Sequence, residues 1–212
     1  MIKISQTSKL KARSWSLPAL ETCPGARTKG GALVEACQGC YATTGNYRFP
    51  SVKAPREHNK EDWKRPEWVA DMVSELDADR YFRWFDSGDL YRVELAEKVL
   101  QVMEQTPHCN HWIPTRSHKS PRIEMILRRM EALPNVVVRR SSDSVTGEAD
   151  ANHGSTIIPT PEDAHPGMFV CGAYSRDGKC GDCRACWSKD VPLVAYPAHG
   201  QKMRKVIRIA VA

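Results

Sequence analysis

Eight cysteines, seven of them in two spaced groups, constrain this 212-residue chain more than any other feature. Cys23 is followed, after thirteen intervening residues, by Cys37-Gln38-Gly39-Cys40. A Cys-x-x-Cys pair brings two thiolates onto one metal, because two intervening residues let the backbone turn around it. Cys23 supplies a third thiolate from the same loop, and three thiolates without a fourth suit a centre that keeps one position open. No histidine lies between Cys23 and Cys40 to close a zinc site, the nearest being His58. Two plainer readings stand beside metal ligation: a redox-active pair, and ordinary buried cysteines. A redox pair normally opens a helix, and Gln38-Gly39 within a glycine-rich loop matches that poorly.

In the second group Cys171 is separated by eight residues from Cys180-Gly181-Asp182-Cys183-Arg184-Ala185-Cys186. Three evenly spaced thiolates can hold three corners of a cubane, and ferredoxin-type [4Fe–4S] clusters take their fourth cysteine from elsewhere. Cys171 is the natural fourth here. A closed four-cysteine zinc site is the runner-up, since zinc usually takes its Cys-x-x-Cys motifs as separate pairs. Cys109 stands alone beside a predicted strand and reads as a small core residue. Disulfides are the other use of eight cysteines, but the opening residues carry no apolar signal segment, so the expected location is cytoplasmic. The longest apolar runs, 136–138 and the charge-interrupted 206–209, fall far short of the roughly 20 residues a membrane helix needs, so no membrane association is expected.

With 41% hydrophobic residues the chain can bury a core, and its length suits a single domain over 1–212. Residues 17–55 are rich in Gly, Pro, Thr and Cys with little periodicity, and read as a long N-terminal cluster loop. Beyond it strands and helices alternate. A helix after Pro66 places Val69, Met72, Val73 and Leu76 on one face; 81–85 reads as a buried strand. Asp89 is the expected cap of a second helix, with Ala96, Val99, Leu100 and Met103 inward. A strand at 111–115, a helix from Ser120-Pro121 and a strand at 135–139 follow. Such alternation marks a parallel α/β sheet or barrel. After residue 140 the rhythm weakens: strands are expected at 155–159, 168–171, 192–196 and 205–211, without long helices between them. The fold expected is therefore α/β, a partly open barrel with a loop-rich C-terminal third that carries the cysteine motif at 168–190.

Ligand sites of α/β folds gather where strands end. Ser87-Gly88-Asp89 follows one strand, with Gly88 admitting close approach and Asp86 or Asp89 able to accept from an ammonium group. Arg116 follows the next and suits a carboxylate or phosphate. Ser141-Ser142-Asp143 follows a third and suits a ribose hydroxyl. Turn formation and capping are the plainer roles for all of these. The net charge is +6, with Lys and Arg concentrated in 1–30, 116–140 and 201–212. A basic rim facing nucleic acid or a nucleotide is one explanation and a solvated surface the other. The seven histidines form no ligand pair.

A three-cysteine loop, strand–helix repeats and a Gly-acidic turn after a strand together resemble the radical S-adenosylmethionine superfamily. Cys23-Pro24-Gly25-Ala26, Cys37-x-x-Cys40-Tyr41-Ala42, Phe85-Asp86-Ser87-Gly88-Asp89-Leu90, Pro114-Thr115-Arg116-Ser117 and the 180–187 run resemble, more closely, the phage and prophage gene product 88 family. The resemblance implies a partial (βα)6 barrel and a [4Fe–4S] cluster on Cys23, Cys37 and Cys40. It also implies S-adenosylmethionine at the fourth iron, with Ser87-Gly88-Asp89 in place of the superfamily's Gly-Gly-Glu turn. The chain departs from the superfamily in its thirteen-residue first gap, where three is usual, and in an acid one carbon shorter. On this reading it is an enzyme that draws an electron from a donor such as flavodoxin or ferredoxin and starts radical chemistry in the cytoplasm, the bacterial host's if phage-encoded. The alternative is a non-enzymatic iron–sulfur or zinc protein that binds nucleic acid.

Overall fold

The computed structural model describes residues 1–211. Its first sheet has five strands in chain order: β1 (Ser5–Gln6), β2 (Arg13–Trp15), β3 (Tyr81–Trp84), β4 (Asn110–Thr115) and β5 (Val136–Arg140). β1 pairs antiparallel with β2, and β2 to β5 run parallel. A second, parallel sheet has the order β6 (Ser155–Ile158), β8 (Leu193–Pro197), β7 (Met168–Val170). The two sheets meet where β5 ends. Ser141 bridges Ser155 in parallel, the Gly154 N–H donates to the Arg140 carbonyl at 2.8 Å, and the Ser142 N–H donates to the Ser155 carbonyl at 2.9 Å.

Alternation along the parallel strands decides which face buries what. Trp15, Phe82, Trp84, Ile113, Val136 and Val138 point to one face and form the main core with the helices. Those helices are α3 (Trp68–Glu75), α4 (Val93–Gln105) and α5 (Pro121–Ala132). In α4, Leu95, Ala96, Val99, Leu100 and Met103 recur at the three-to-four spacing that makes one apolar stripe, and all are buried. Cys109 belongs to this core, where burial pushes its thiol up to about 12. His111 is there too, held neutral by desolvation that lowers it to about 3. Trp84 Nε1 donates to its Nδ1, and Thr106 Oγ1 meets its Nε2. The intervening residues Tyr81, Arg83, Trp112, Pro114, Val137 and Arg139 face the other way, where the C-terminal segment covers the sheet. Trp187 packs edge-on against Tyr81 and Trp112 there, and its Nε1 donates to the Phe82 carbonyl at 3.0 Å.

Three expectations need correction. Residues 17–55 are not all loop: they contain the short α1 (Glu35–Gln38) and the start of α2 (Pro50–Asp62). α2 escapes a periodicity search because its buried residues are Arg56, Asn59 and Asp62 rather than apolar ones. The 205–211 strand is instead α6 (Gln201–Ala210), since Met203, Val206 and Ile207 share one helical face against Ala36 and Val145. Asp89 does not cap α4, whose N-terminal flanking residue is Arg92. The other C-terminal strands lie at Ser155–Ile158, Met168–Val170 and Leu193–Pro197.

Arg139, 2% exposed, ties the second half to the first. Its guanidinium donates to the carbonyls of Ala185, Ser188 and Val191 at 2.7–2.8 Å, and to Cys186 and Gly154 at 3.2 and 3.3 Å. Among the described residues no carboxylate pairs with it, and burial lowers its pKa. Arg139→Met strands the Cys186, Ser188 and Val191 carbonyls, each at a cost of about 1–3 kcal/mol, so denaturant unfolding should show a loss above about 3 kcal/mol. A loss under about 1 kcal/mol would mean that water replaces the guanidinium.

Candidate functional site

The carboxyl ends of the parallel strands open into a cavity of about 440 Å³. Cys23, Cys37 and Cys40 line one part of it, and Cys171, Cys180 and Cys186 another; Cys183 is not among the lining residues. Ser87, Gly88, Asp89, Arg116 and Ser141 line the same cavity.

The first cysteine loop is seated by close backbone approaches. A Cβ on Gly25 would stand 2.1 Å from the Arg116 carbonyl oxygen, so only glycine lets the loop lie against the turn after β4. Lys119 Nζ donates to the Gly25 carbonyl at 2.9 Å. Gly39, inside Cys37-x-x-Cys40, meets Met203 of α6, whose Sδ would stand 2.8 Å from an added Cβ. Desolvation pushes Cys23 up to about 12, helped by the negative charges of Asp89, Cys40 and Cys37. Desolvation also raises Cys37 and Cys40; the positive charge of Arg116 opposes it at both, joined by Lys119 at Cys37 and Lys202 at Cys40.

The second group sits on an irregular segment with Gly181 at φ +57° inside the first Cys-x-x-Cys turn. The Cys171 N–H donates to the Ala195 carbonyl at 2.8 Å and the Cys180 N–H to the Lys9 carbonyl at 2.9 Å. Cys186 Sγ lies 3.3 Å from the Tyr196 hydroxyl. Desolvation raises Cys180, and the charges of Cys171 and Cys183 add to it while Lys9 and Arg83 oppose it. Cys186 is pushed to about 11 by desolvation, with Arg139 and Arg83 favouring its thiolate and Cys171 disfavouring it. Cys23, Cys37, Cys40, Cys180 and Cys186 are thus desolvated thiols whose thiolate forms would repel their neighbours, and cations stand near both groups. Among the described residues no three His, Cys, Asp or Glu side chains close on a single metal-ion position. The fit to a thiolate-bound centre therefore rests on donor chemistry and on placement, with the surrounding cations supplying the charge balance that anionic thiolates need.

Asp89 is buried, and desolvation raises its pKa against the hydrogen bonds it accepts. Its Oδ1 accepts from Thr115 Oγ1 at 2.7 Å and the Leu90 N–H at 2.8 Å, and its Oδ2 accepts from the Arg116 N–H at 2.8 Å. It welds the turn after β3 to the end of β4, which is why it leaves the α4 terminus alone. Gly88, at φ +78°, is required by its own chain, since an added Cβ would stand 2.5 Å from the Leu17 Cβ. Ser87 Oγ donates to the Leu17 carbonyl at 2.8 Å and accepts from Arg56 Nε at 2.6 Å. Arg116 Nη2 donates to the Ser142 carbonyl at 2.7 Å. Of Ser141-Ser142-Asp143 only Ser141 faces the cavity; Ser142 Oγ donates to the Glu148 carbonyl, and Asp143 pairs with Lys119 and Arg116. Asp86 receives Arg83, Arg56 and the Tyr47 hydroxyl. Lys9, Tyr41, Arg83 and Tyr196 also line the cavity and stand outside the sequence-derived candidates. Only Arg83 had a signal, as a lone cation inside Tyr81-Phe82-Arg83-Trp84-Phe85.

Asp89→Asn turns an acceptor pair into one acceptor and one donor facing three donors. Thermal unfolding should show a loss of about 1–3 kcal/mol. Unchanged stability would mean that these three hydrogen bonds do not hold the ends of β3 and β4 together.

No curated protein and no solved structure matches the chain. A family model described as gene product 88 matches residues 2–189, which includes both cysteine groups. The chain belongs to the gene product 88 family of phage proteins.

Proposed function

We propose that the chain is an iron–sulfur protein and acts as a radical-S-adenosylmethionine-type enzyme in a partly open α/β barrel. One observation carries this reading: six of the seven candidate ligand cysteines and all five candidate cofactor-contacting residues line a single cavity at the carboxyl ends of parallel strands. Cys23, Cys37 and Cys40 are the ligands of a [4Fe–4S] cluster, and Cys171, Cys180, Cys183 and Cys186 hold a second cluster or zinc. When bound, the first cluster supplies the electron that cleaves S-adenosylmethionine reductively, refilled by a donor such as flavodoxin or ferredoxin.

The chain's own residues do the positioning. Asp89 stands close enough to Cys23 to oppose its ionisation and lines the cavity beside the cysteine loop, the place for an ammonium group. Arg116 presents a cation for a carboxylate, and Ser141 a hydroxyl for a ribose. The desolvation that raises Cys23, Cys37 and Cys40 also describes a site that limits water around a reactive intermediate. Among the described residues no helix is long and apolar enough to cross a membrane.

Anaerobically isolated protein should be brown, absorb broadly near ~400 nm, and contain iron and sulfide in about equal amounts, as cubanes require. With a reductant and S-adenosylmethionine it should release 5′-deoxyadenosine. Colourless protein with zinc on both cysteine groups, or loaded protein that never yields 5′-deoxyadenosine, would sink the enzymatic reading and leave the non-enzymatic, nucleic-acid-binding one. Cys37→Ser and Cys40→Ser should remain folded and lose product formation entirely. Cys180→Ser, Cys183→Ser and Cys186→Ser should lose soluble yield, because a closed four-ligand site contributes directly to folding. Equal loss of solubility from both sets would make the first group structural.

A further inference from the structure

Between the two cysteine groups the cavity wall carries a charge cluster that does not balance. Asp86 is its only acid, 10% exposed, and two arginines meet it: Arg83 Nη1 at 3.0 Å from Oδ1 and Arg56 Nη2 at 3.4 Å from Oδ2. Tyr47 donates its hydroxyl to Oδ2 as well. Arg56 is fully engaged, giving Nε to Ser87 Oγ and Nη1 to the Val52 carbonyl. The two arginines share one carboxylate and so carry a surplus positive charge between them, and of the two it is Arg83 that lines the cavity. Its side chain is 12% exposed, lies over the Trp112 ring at 4.6 Å from the centroid, and lines the cavity. Among the described residues its Nη2 donates only to the Tyr41 hydroxyl, at 3.2 Å, and its buried Nε has no partner. Lys9 lines the same cavity and is without a carboxylate partner among the described residues; its ammonium lies over Tyr174. The other cavity acid, Asp89, already accepts three hydrogen bonds.

A guanidinium held over an indole in the cavity wall, sharing its one carboxylate with a second arginine, and a lysine in the same cavity with no carboxylate partner among the described residues, are arranged to take an oxyanion. We infer that Arg83, assisted by Lys9, anchors the carboxylate or phosphate of a small-molecule ligand in the cavity between the cysteine groups. Calling that ligand the enzyme's substrate rests on the proposed function; binding of the anion does not.

The test is calorimetric titration of inorganic phosphate and, separately, acetate into anaerobically prepared protein whose metal content is measured on the same sample. Wild type should bind at least one probe saturably, and which one binds tells phosphate from carboxylate. Arg83→Met should weaken that binding about 10- to 100-fold, the loss of a charge-assisted hydrogen bond. Arg83→Lys, which keeps the charge and loses the fork, should fall between, and Lys9→Met should weaken binding to a smaller degree. Circular dichroism and thermal melting confirm that each variant is folded. Wild-type affinity in folded Arg83→Met, or no saturable binding of either probe to the wild type, overturns the inference. So does unchanged affinity with loss of metal from the second cysteine group, which would make Arg83 a counter-ion of that centre. Protein that carries no metal yet binds through Arg83 would keep the anchor while removing the iron–sulfur reading.

Discussion

An arginine buried without a carboxylate must find its stabilisation elsewhere, and the way Arg139 does so organises the C-terminal half. The segment from Ala185 to Pro192 has one 3-10 turn and is otherwise irregular, so the carbonyls of Cys186, Ser188 and Val191 lack the partners that a longer helix or a strand would provide. Arg139, projecting from β5, supplies them from a single side chain. The segment is thereby fastened to the sheet, Trp187 is delivered to Tyr81 and Trp112, and Cys186 comes to rest beside Tyr196. Fixing both a loop and the cysteines on it by one planar donor fork is a task for Arg and not for Lys. In the proposed function, thiolates at the second cysteine group complete the arrangement by giving the buried cation its counter-charge.

The opposite wall of the cavity is built by contact rather than by charge. Gly25 lets the first cysteine loop touch the backbone after β4, and Gly88 lets the turn after β3 touch Leu17. Asp89 then joins the ends of β3 and β4 through Thr115 and Arg116. The two walls thus have different mechanical characters. One is a stack of backbone contacts that tolerates no added methyl; the other is a largely irregular segment held by side chains, Arg139 above all, with Trp187 and Lys189 bonding the carbonyls of Phe82, Glu131 and Leu133.

Where a residue's role depends on neighbours close in sequence, it could be read from the sequence. The apolar stripe of α4, the helix after Ser120-Pro121 and the strands around Trp84 and Val137 follow from periodicity, because burial on one face imposes it. Both cysteine groups follow from spacing. Asp89 was legible as important and misread as a cap, because its partners Thr115 and Arg116 lie more than 25 positions away. α6 alternates charge and apolar groups over Val206-Ile207-Arg208-Ile209, which mimics a strand until Met203 is counted with Val206 and Ile207. Arg139 looked like the polar end of a strand, and nothing local announces that it is buried. Arg83 was conspicuous among aromatics, but its pairing with Asp86 and its place between the cysteine groups appear only in three dimensions.

The contact between Met203 and Gly39 also carries a consequence for the order of events. α6 lies beyond the residues the family model matches, yet its methionine seats on the loop between Cys37 and Cys40. Domains fold as they emerge, and synthesis delivers about 5–20 residues per second. By the time Met203 of α6 is synthesised, the loop at Gly39, 164 residues earlier, has preceded it by about 8–33 s at that rate. The first cysteine loop is therefore made as an open site and covered afterwards, so that anything to be installed there meets it before its cover has been synthesised.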